Sequence, residues 1–219
     1  MNKLDIICRR LDNRLYLLRH APDDAGCPHF LSEETTPVEW EWGSYEPRPL
    51  ELAISKQYAT RITDTDIDTV DFDFYGTDAP YVSSRFLELC DAFAVRYRAV
   101  PIDITLHNGA RPPKSYAIFL PASHVSVIDT GKSVYELDRV VESGATMMHR
   151  AFPELPVYSR IARFVPKEDI DLPHLFQCIE LFSLVCTEAF RQEAIERGLN
   201  GLQFTALDEN YIYDPWADW

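Results

Sequence analysis

Positive charge is scarce in this chain. Its 21 lysines and arginines face 35 aspartates and glutamates, giving a formal charge of −14 and a pI near 4.8. That balance argues against nucleic acid and anionic membranes as partners, because both would repel it. Cysteine is sparse and irregular. Cys8, Cys27, Cys90, Cys178 and Cys186 form no C-x-x-C pair, and Cys90, Cys178 and Cys186 lie in apolar company that suits small core residues with reduced thiols. No apolar run approaches the length of a spanning helix, and the opening MNKLDIICRRLD alternates charged with apolar residues. A secretory signal is therefore not expected, and a cytoplasmic location is.

The motifs of common chemistries are missing too. No G-x-S-x-G elbow is present. Gly131-Lys132-Ser133 imitates the end of a phosphate loop, but Ser126 occupies the position where that loop needs its first glycine, so a turn is expected instead. Asp64-x-Asp66-x-Asp68 invites a calcium-loop reading. It fails because Thr69 stands where the sharp turn needs glycine and Tyr75 where a bidentate glutamate is needed. Cys27-Pro28-His29 and His174-x-x-x-Cys178 lack the closed spacing of a zinc site. No catalytic, metal-binding or cofactor-binding set is expected. The enzyme alternative that stays open is a small metal-dependent enzyme using the acidic run from Asp64 to Asp73.

What is present is a foldable, unevenly charged chain. At 219 residues, with 46% hydrophobic and 12% aromatic content, it can bury a substantial core. Residues 33 to 78 carry twelve carboxylates against only Arg48, Lys56 and Arg61. From Asp208 onward there are four carboxylates and no basic side chain. Aromatic residues interleave with this charge at Glu39-Trp40-Glu41-Trp42 and again in the tail, at Tyr211, Tyr213 and Trp216. Tryptophan and tyrosine supply most interface energy, and flanking charges steer the encounter. The candidate partner-binding residues are therefore Glu39, Trp40, Glu41, Trp42, Asp66, Asp68, Asp71, Asp73, Tyr211, Tyr213 and Trp216. The competing reading turns Trp40 and Trp42 toward the core and packs the tail on its own domain.

Periodicity gives a mixed α+β fold with a largely antiparallel sheet and a few capped amphipathic helices. Strands are expected at Leu11 to Leu18, Val38 to Trp42, Glu51 to Ile54 and Val70 to Tyr75. The last places Phe72 and Phe74 on one side and Asp71 and Asp73 on the other. Further strands are expected after Pro101, at Tyr116 to Leu120, at His124 to Ile128 and at Val157 to Val165. The stretch Tyr135 to Glu142 reads equally as helix or strand. A strand end, a hydroxyl cap and an aromatic three residues later recur three times: Ser55 with Tyr58, Ser83 with Phe86, and Thr187 with Phe190. The repetition predicts helices from Ser55 to about Ile62, from Ser83 to Tyr97 and after Thr187, and suggests two related strand–helix halves.

The run LFQ…FSLVCTEAFRQEAIERGLNGLQF, together with Val125 to Ser133 and the segments PLELAISKQY and APYVSSRFLELC, resembles the eleventh numbered class of bacterial polymorphic-toxin immunity proteins, a domain once known only as one of unknown function. The likeness covers roughly Pro49 to Leu207. It implies a single immunity-type domain over residues 1–219, with a family-like core at 49–207, an N-terminal extension at 1–48 and an aromatic, acidic tail at 208–219. It further implies a non-enzymatic cytoplasmic antitoxin that binds and neutralises a cognate toxin. That toxin would be a basic nuclease domain delivered by a contact-dependent or type VI secretion system.

Overall fold

The computed structural model describes residues 14–22, 26–77, 79–168 and 170–215. The first part of the chain supplies strands β1 (Leu15–His20), β2 (Glu33–Thr36), β3 (Tyr58–Ile62), β4 (Phe74–Tyr75) and β5 (Tyr81–Ser83). Helix α1 (Ser84–Ala92) follows, then β6 (Tyr97–Thr105), β7 (Tyr116–Pro121), β8 (His124–Val125), β9 (Val134–Leu137) and β10 (Tyr158–Arg163). The last elements are β11 (Leu175–Cys178), β12 (Ser183–Thr187), helix α2 (Glu188–Glu196) and β13 (Leu202–Ala206). Two sheets dominate, ordered β2-β3-β6-β7-β5-β4 and β13-β1-β12-β11-β8, beside a β9–β10 pair. Most pairings are antiparallel; β3 with β6 and β11 with β8 are parallel. This is the mixed α+β fold that the periodicity predicts.

The two related halves are visible in the pairing. In one, β5, α1 and β6 form a strand–helix–strand unit with β7 inserted antiparallel between the two strands. In the other, β12, α2 and β13 do the same around β1, and β4 and β11 flank the corresponding strands. One constant spacing relates Ser83 to Thr187, Phe86 to Phe190, Cys90 to Ala194 and Ala94 to Gly198. Each hydroxyl accepts from the backbone N–H of its aromatic, and each helix closes with a bond from the residue after the left-handed position back to Cys90 or Ala194. The inserted strand is local in one half (β7) and comes from the start of the chain in the other (β1).

The halves share a central core. Phe86 of α1 meets Phe190 of α2 edge-on at 6.2 Å, and both are fully buried. Tyr16 and Leu18 of β1 face this core, whereas Leu15 and Leu17 face a second cluster beneath β9 and β10, the alternation expected of a pleated strand. Phe119 of β7 likewise points to the centre while Tyr116, Ile118 and Leu120 face a third cluster with Tyr58, Ile62 and Phe72. Burial on both faces explains why these strands are continuous apolar runs. Truncating either central phenylalanine would cost about 3–5 kcal/mol. Cys27, Cys90, Cys178 and Cys186 are all buried; Cys8 lies outside the described residues.

Several sequence expectations need correction. The third hydroxyl–aromatic copy is not a helix. After a short 3-10 turn at Pro49–Glu51 the chain runs extended into β3, where Tyr58, Thr60 and Ile62 are buried and Ala59 and Arg61 exposed. The Ser55 hydroxyl donates to the Glu41 carboxylate instead of capping, and the β-formers that follow prefer a pleat. Val38 to Trp42 is not a strand; the ladder stops at Thr36, ahead of Pro37, which has no N–H to give. Phe72 and Phe74 pack into different clusters, not on one side. Helix α1 stops at Ala92 because Ala94 turns left-handed, φ 50°. Residues Val134–Leu137 settle as strand. The Leu11 end of the first predicted strand lies outside the described residues.

Candidate functional site

The edge of the six-stranded sheet collects the exposed acid. Glu33 and Glu34 on β2 pair with Ile62 and Arg61 on β3, and the N–H of Thr63 donates to Ser32, so the loop carrying Asp64, Asp66 and Asp68 continues the same edge. Asp66 and Asp68 are exposed, and the Asp64 carboxylate caps its own turn through the Asp66 N–H at 2.9 Å. At the other end of β3, Trp40, Trp42 and Tyr58 form a three-ring cluster with centroids 5.0–5.2 Å apart. Glu39 projects beside it, its side chain 91% exposed, 3.9 Å from Lys56. Glu41 pins the cluster in place by accepting from the backbone N–H groups of Ser55 and Lys56 and from the Ser55 hydroxyl. The Lys56 N–H, then the Ser55 hydroxyl, hold its carboxyl below the usual range.

Between this cluster and Tyr75 and Tyr81 lies a cleft of about 210 Å³, floored by Ile118 and rimmed by Glu33. Tyr75 and Tyr81 stack at 6.4 Å. The stem of Glu33 is exposed, yet its carboxyl turns inward to accept from Tyr81 Oη at 3.0 Å and from Thr60 at 3.4 Å. Burial raises the Glu33 carboxyl, against those two hydrogen bonds, and burial likewise raises the Tyr81 phenol. Among the described residues, no lysine or arginine lines the cleft. Its carboxylate and ring faces are thus open to a cation from outside.

Other predicted residues have interior work. Asp73 is not on the surface. Its side chain is 0% exposed, and it accepts from Ser83 Oγ at 2.5 Å and from the Asn200 N–H at 2.8 Å. Lys114 Nζ lies 3.0 Å from it and Arg85 Nη1 3.3 Å. Asp71 is partly exposed and already neutralised by Lys114 at 2.9 Å. Asp73 therefore bolts the start of β4 to β5 and to the loop after α2, while Asp71 holds Lys114, which corrects their assignment to a docking face. Tyr211 is buried against Phe164, and Tyr213 bridges to Ile161 through both backbone groups, so the tail as far as Tyr213 packs on its own fold. Trp216 lies outside the described residues. Sequence pattern missed Glu33, Tyr75 and Tyr81 as a group because three separate strands bring them together.

A larger groove of about 740 Å³ beside β6 is lined by Lys56, Arg98, Arg111 and Lys114. Most of these charges already have partners: Arg111 pairs with Asp103 at 3.7 Å, Lys56 with Glu39 and Lys114 with the aspartates. Glu180 is a second buried carboxylate. It is satisfied by Ser126 Oγ at 2.6 Å, by the N–H groups of Val127 and Ile128 and by the Cys178 thiol. Gly131 to Ser133 form a turn on Asp129 rather than a phosphate cradle. Among the described residues, no three His, Cys, Asp or Glu side chains are grouped as a metal ion would require, and no helix is long and apolar enough to cross a membrane. No family model and no curated protein matches the chain.

Proposed function

We propose that this chain is a binding protein of the immunity type, a stoichiometric antitoxin that docks a basic toxin domain through the β2–β3 edge. The observation that carries the reading is the composition of that edge. Glu33, Glu34, Asp64, Asp66 and Asp68 follow the β2–β3 edge toward one end of β3, and Glu39 stands beside the tryptophan cluster at the other; Lys56 and Arg61 lie among these acids. A field of this sign accelerates encounter with a positive cleft such as that of a nuclease and then competes with its phosphate substrate. The sequence resemblance to immunity proteins points the same way. Asp71, Asp73, Tyr211 and Tyr213 drop out of the docking set because they hold the fold together.

The test expresses the product of each adjoining gene with and without this chain. Rescue of growth from one toxic product, with co-purification as a complex, supports the reading; rescue from none overturns it. Within a complex so obtained, changing Asp64, Asp66 and Asp68 together to asparagine should weaken binding several-fold at low salt and by less at 0.5 M salt, where charges are screened beyond a few ångströms. Unchanged affinity at low salt would move the contact away from this edge.

A further inference from the structure

The cleft beside β2 has a chemistry more specific than acidity. Four aromatic side chains line it together, Trp40, Trp42, Tyr75 and Tyr81. The negative faces of such rings attract cations, and the attraction grows where water is thinned out. Glu33 stands at the rim with its carboxyl turned into the cleft. A carboxylate offers about four lone-pair positions, and here one good bond from Tyr81 and one long one from Thr60 occupy it. Acceptor capacity is left over. Trp40 is 40% exposed.

We infer that this cleft is the receptor for a single arginine side chain presented by the basic protein partner, lying against the aromatic lining and paired with Glu33. The assignment rests on the docking reading above and narrows it to one contact. Arginine is chosen over lysine on shape: a planar guanidinium lies flat on aromatic rings and offers parallel donors to a carboxylate, whereas an ammonium is a compact, strongly hydrated point charge. The rest of the acidic edge then serves long-range attraction, and the cleft supplies the specific anchor of the kind that dominates interface energetics.

The experiment titrates the full chain with capped hexa-arginine and hexa-lysine peptides at 50 mM salt. Tryptophan fluorescence is followed in a W216F/W219F background so that Trp40 and Trp42 report. The expected result is saturable quenching by hexa-arginine, with binding at least tenfold weaker in Glu33→Gln and in Trp40→Ala and several-fold weaker for hexa-lysine. A control at the far end of the chain, D208N/E209Q, should change affinity by less than twofold. Glu33→Gln keeps the shape and an acceptor for Tyr81, so it decides the matter even if Trp40→Ala folds poorly. Binding within twofold of the parent for Glu33→Gln overturns the cleft, as does equal affinity for the two peptides or no binding to either. If the D64N/D66N/D68N variant still weakens peptide binding while Glu33→Gln does not, the cleft falls and the acidic docking edge stands.

Discussion

Replacing Asp73 by asparagine separates the fold-holding acids from the surface ones. The substitution is nearly isosteric, yet no amide orientation suits the site. One carboxylate oxygen accepts from Ser83 and faces Lys114; the other accepts from the Asn200 N–H and faces Arg85. Whichever oxygen becomes an NH2 group, it meets two donors, one of them cationic, in a place with no solvent access. Removing one member of a buried ion pair costs about 3–5 kcal/mol. Arg85 is 41% exposed and keeps the Arg197 and Gly198 carbonyls, and Lys114 keeps Asp71, so both cations can relax. The low end, about 3 kcal/mol, is therefore expected, or roughly 6–12 °C in Tm for a chain of this size. Asp66→Asn, exposed and unpaired with any cation, should stay within about 0.5 kcal/mol of the parent. Urea unfolding of the two variants side by side is the assay. Destabilisation of under about 1 kcal/mol for Asp73→Asn would refute the account of Asp73 as a buried bolt. It would also restore that residue as a candidate for the surface.

Two other perturbations test the paired halves and the interior histidines. Ala94 sits at φ 50° where its counterpart in the second half is Gly198 at φ 60°, and its side chain is exposed. Ala94→Gly should therefore stabilise by about 0.5–1 kcal/mol, and Gly198→Ala should destabilise by about 1 kcal/mol, in thermal melts; a loss of stability in Ala94→Gly would show that the left-handed residue is unstrained. Burial lowers the imidazoles of His124 and His149 below their ordinary value, and His149 Nδ1 accepts from the N–H groups of Ala151 and Phe152, which its protonated form cannot do. A depressed histidine adds stability that is present above the unfolded value of about 6.5 and is lost as pH falls below it. The parent should lose more stability between pH 7.5 and 5.0 than His149→Asn, whose amide oxygen can still accept, and parallel pH profiles for the two would refute the assignment.

The parts of this fold that were legible in the sequence are those determined within one turn or one strand. Ser83 with Phe86 and Thr187 with Phe190 announce their helices because a hydroxyl cap and an inward aromatic are local requirements. The same signature at Ser55 and Tyr58 failed for a reason outside its own window: Glu41, fourteen residues earlier, captures the serine hydroxyl and backbone, and β6 offers Tyr58 a parallel ladder. The aspartates divide on the same principle. VDFDFY looks like an alternating surface strand, but Asp73 is drawn inward by Arg85 and Lys114, which arrive from α1 and from the loop before β7. No spacing rule links those positions. The cleft has the same character, since Glu33, Trp40, Tyr75 and Tyr81 meet only after β2, β4 and β5 take their places around the sheet. Composition correctly marked residues 33–78 as the acidic territory; which acids face water was decided by strand order. Asp64, Asp66 and Asp68, which pair with no cation among the described residues, follow a sheet edge rather than the interior. Charge left unneutralised on an edge, beside rings left uncovered, is what a docking surface requires and what a purely structural surface would tend to balance.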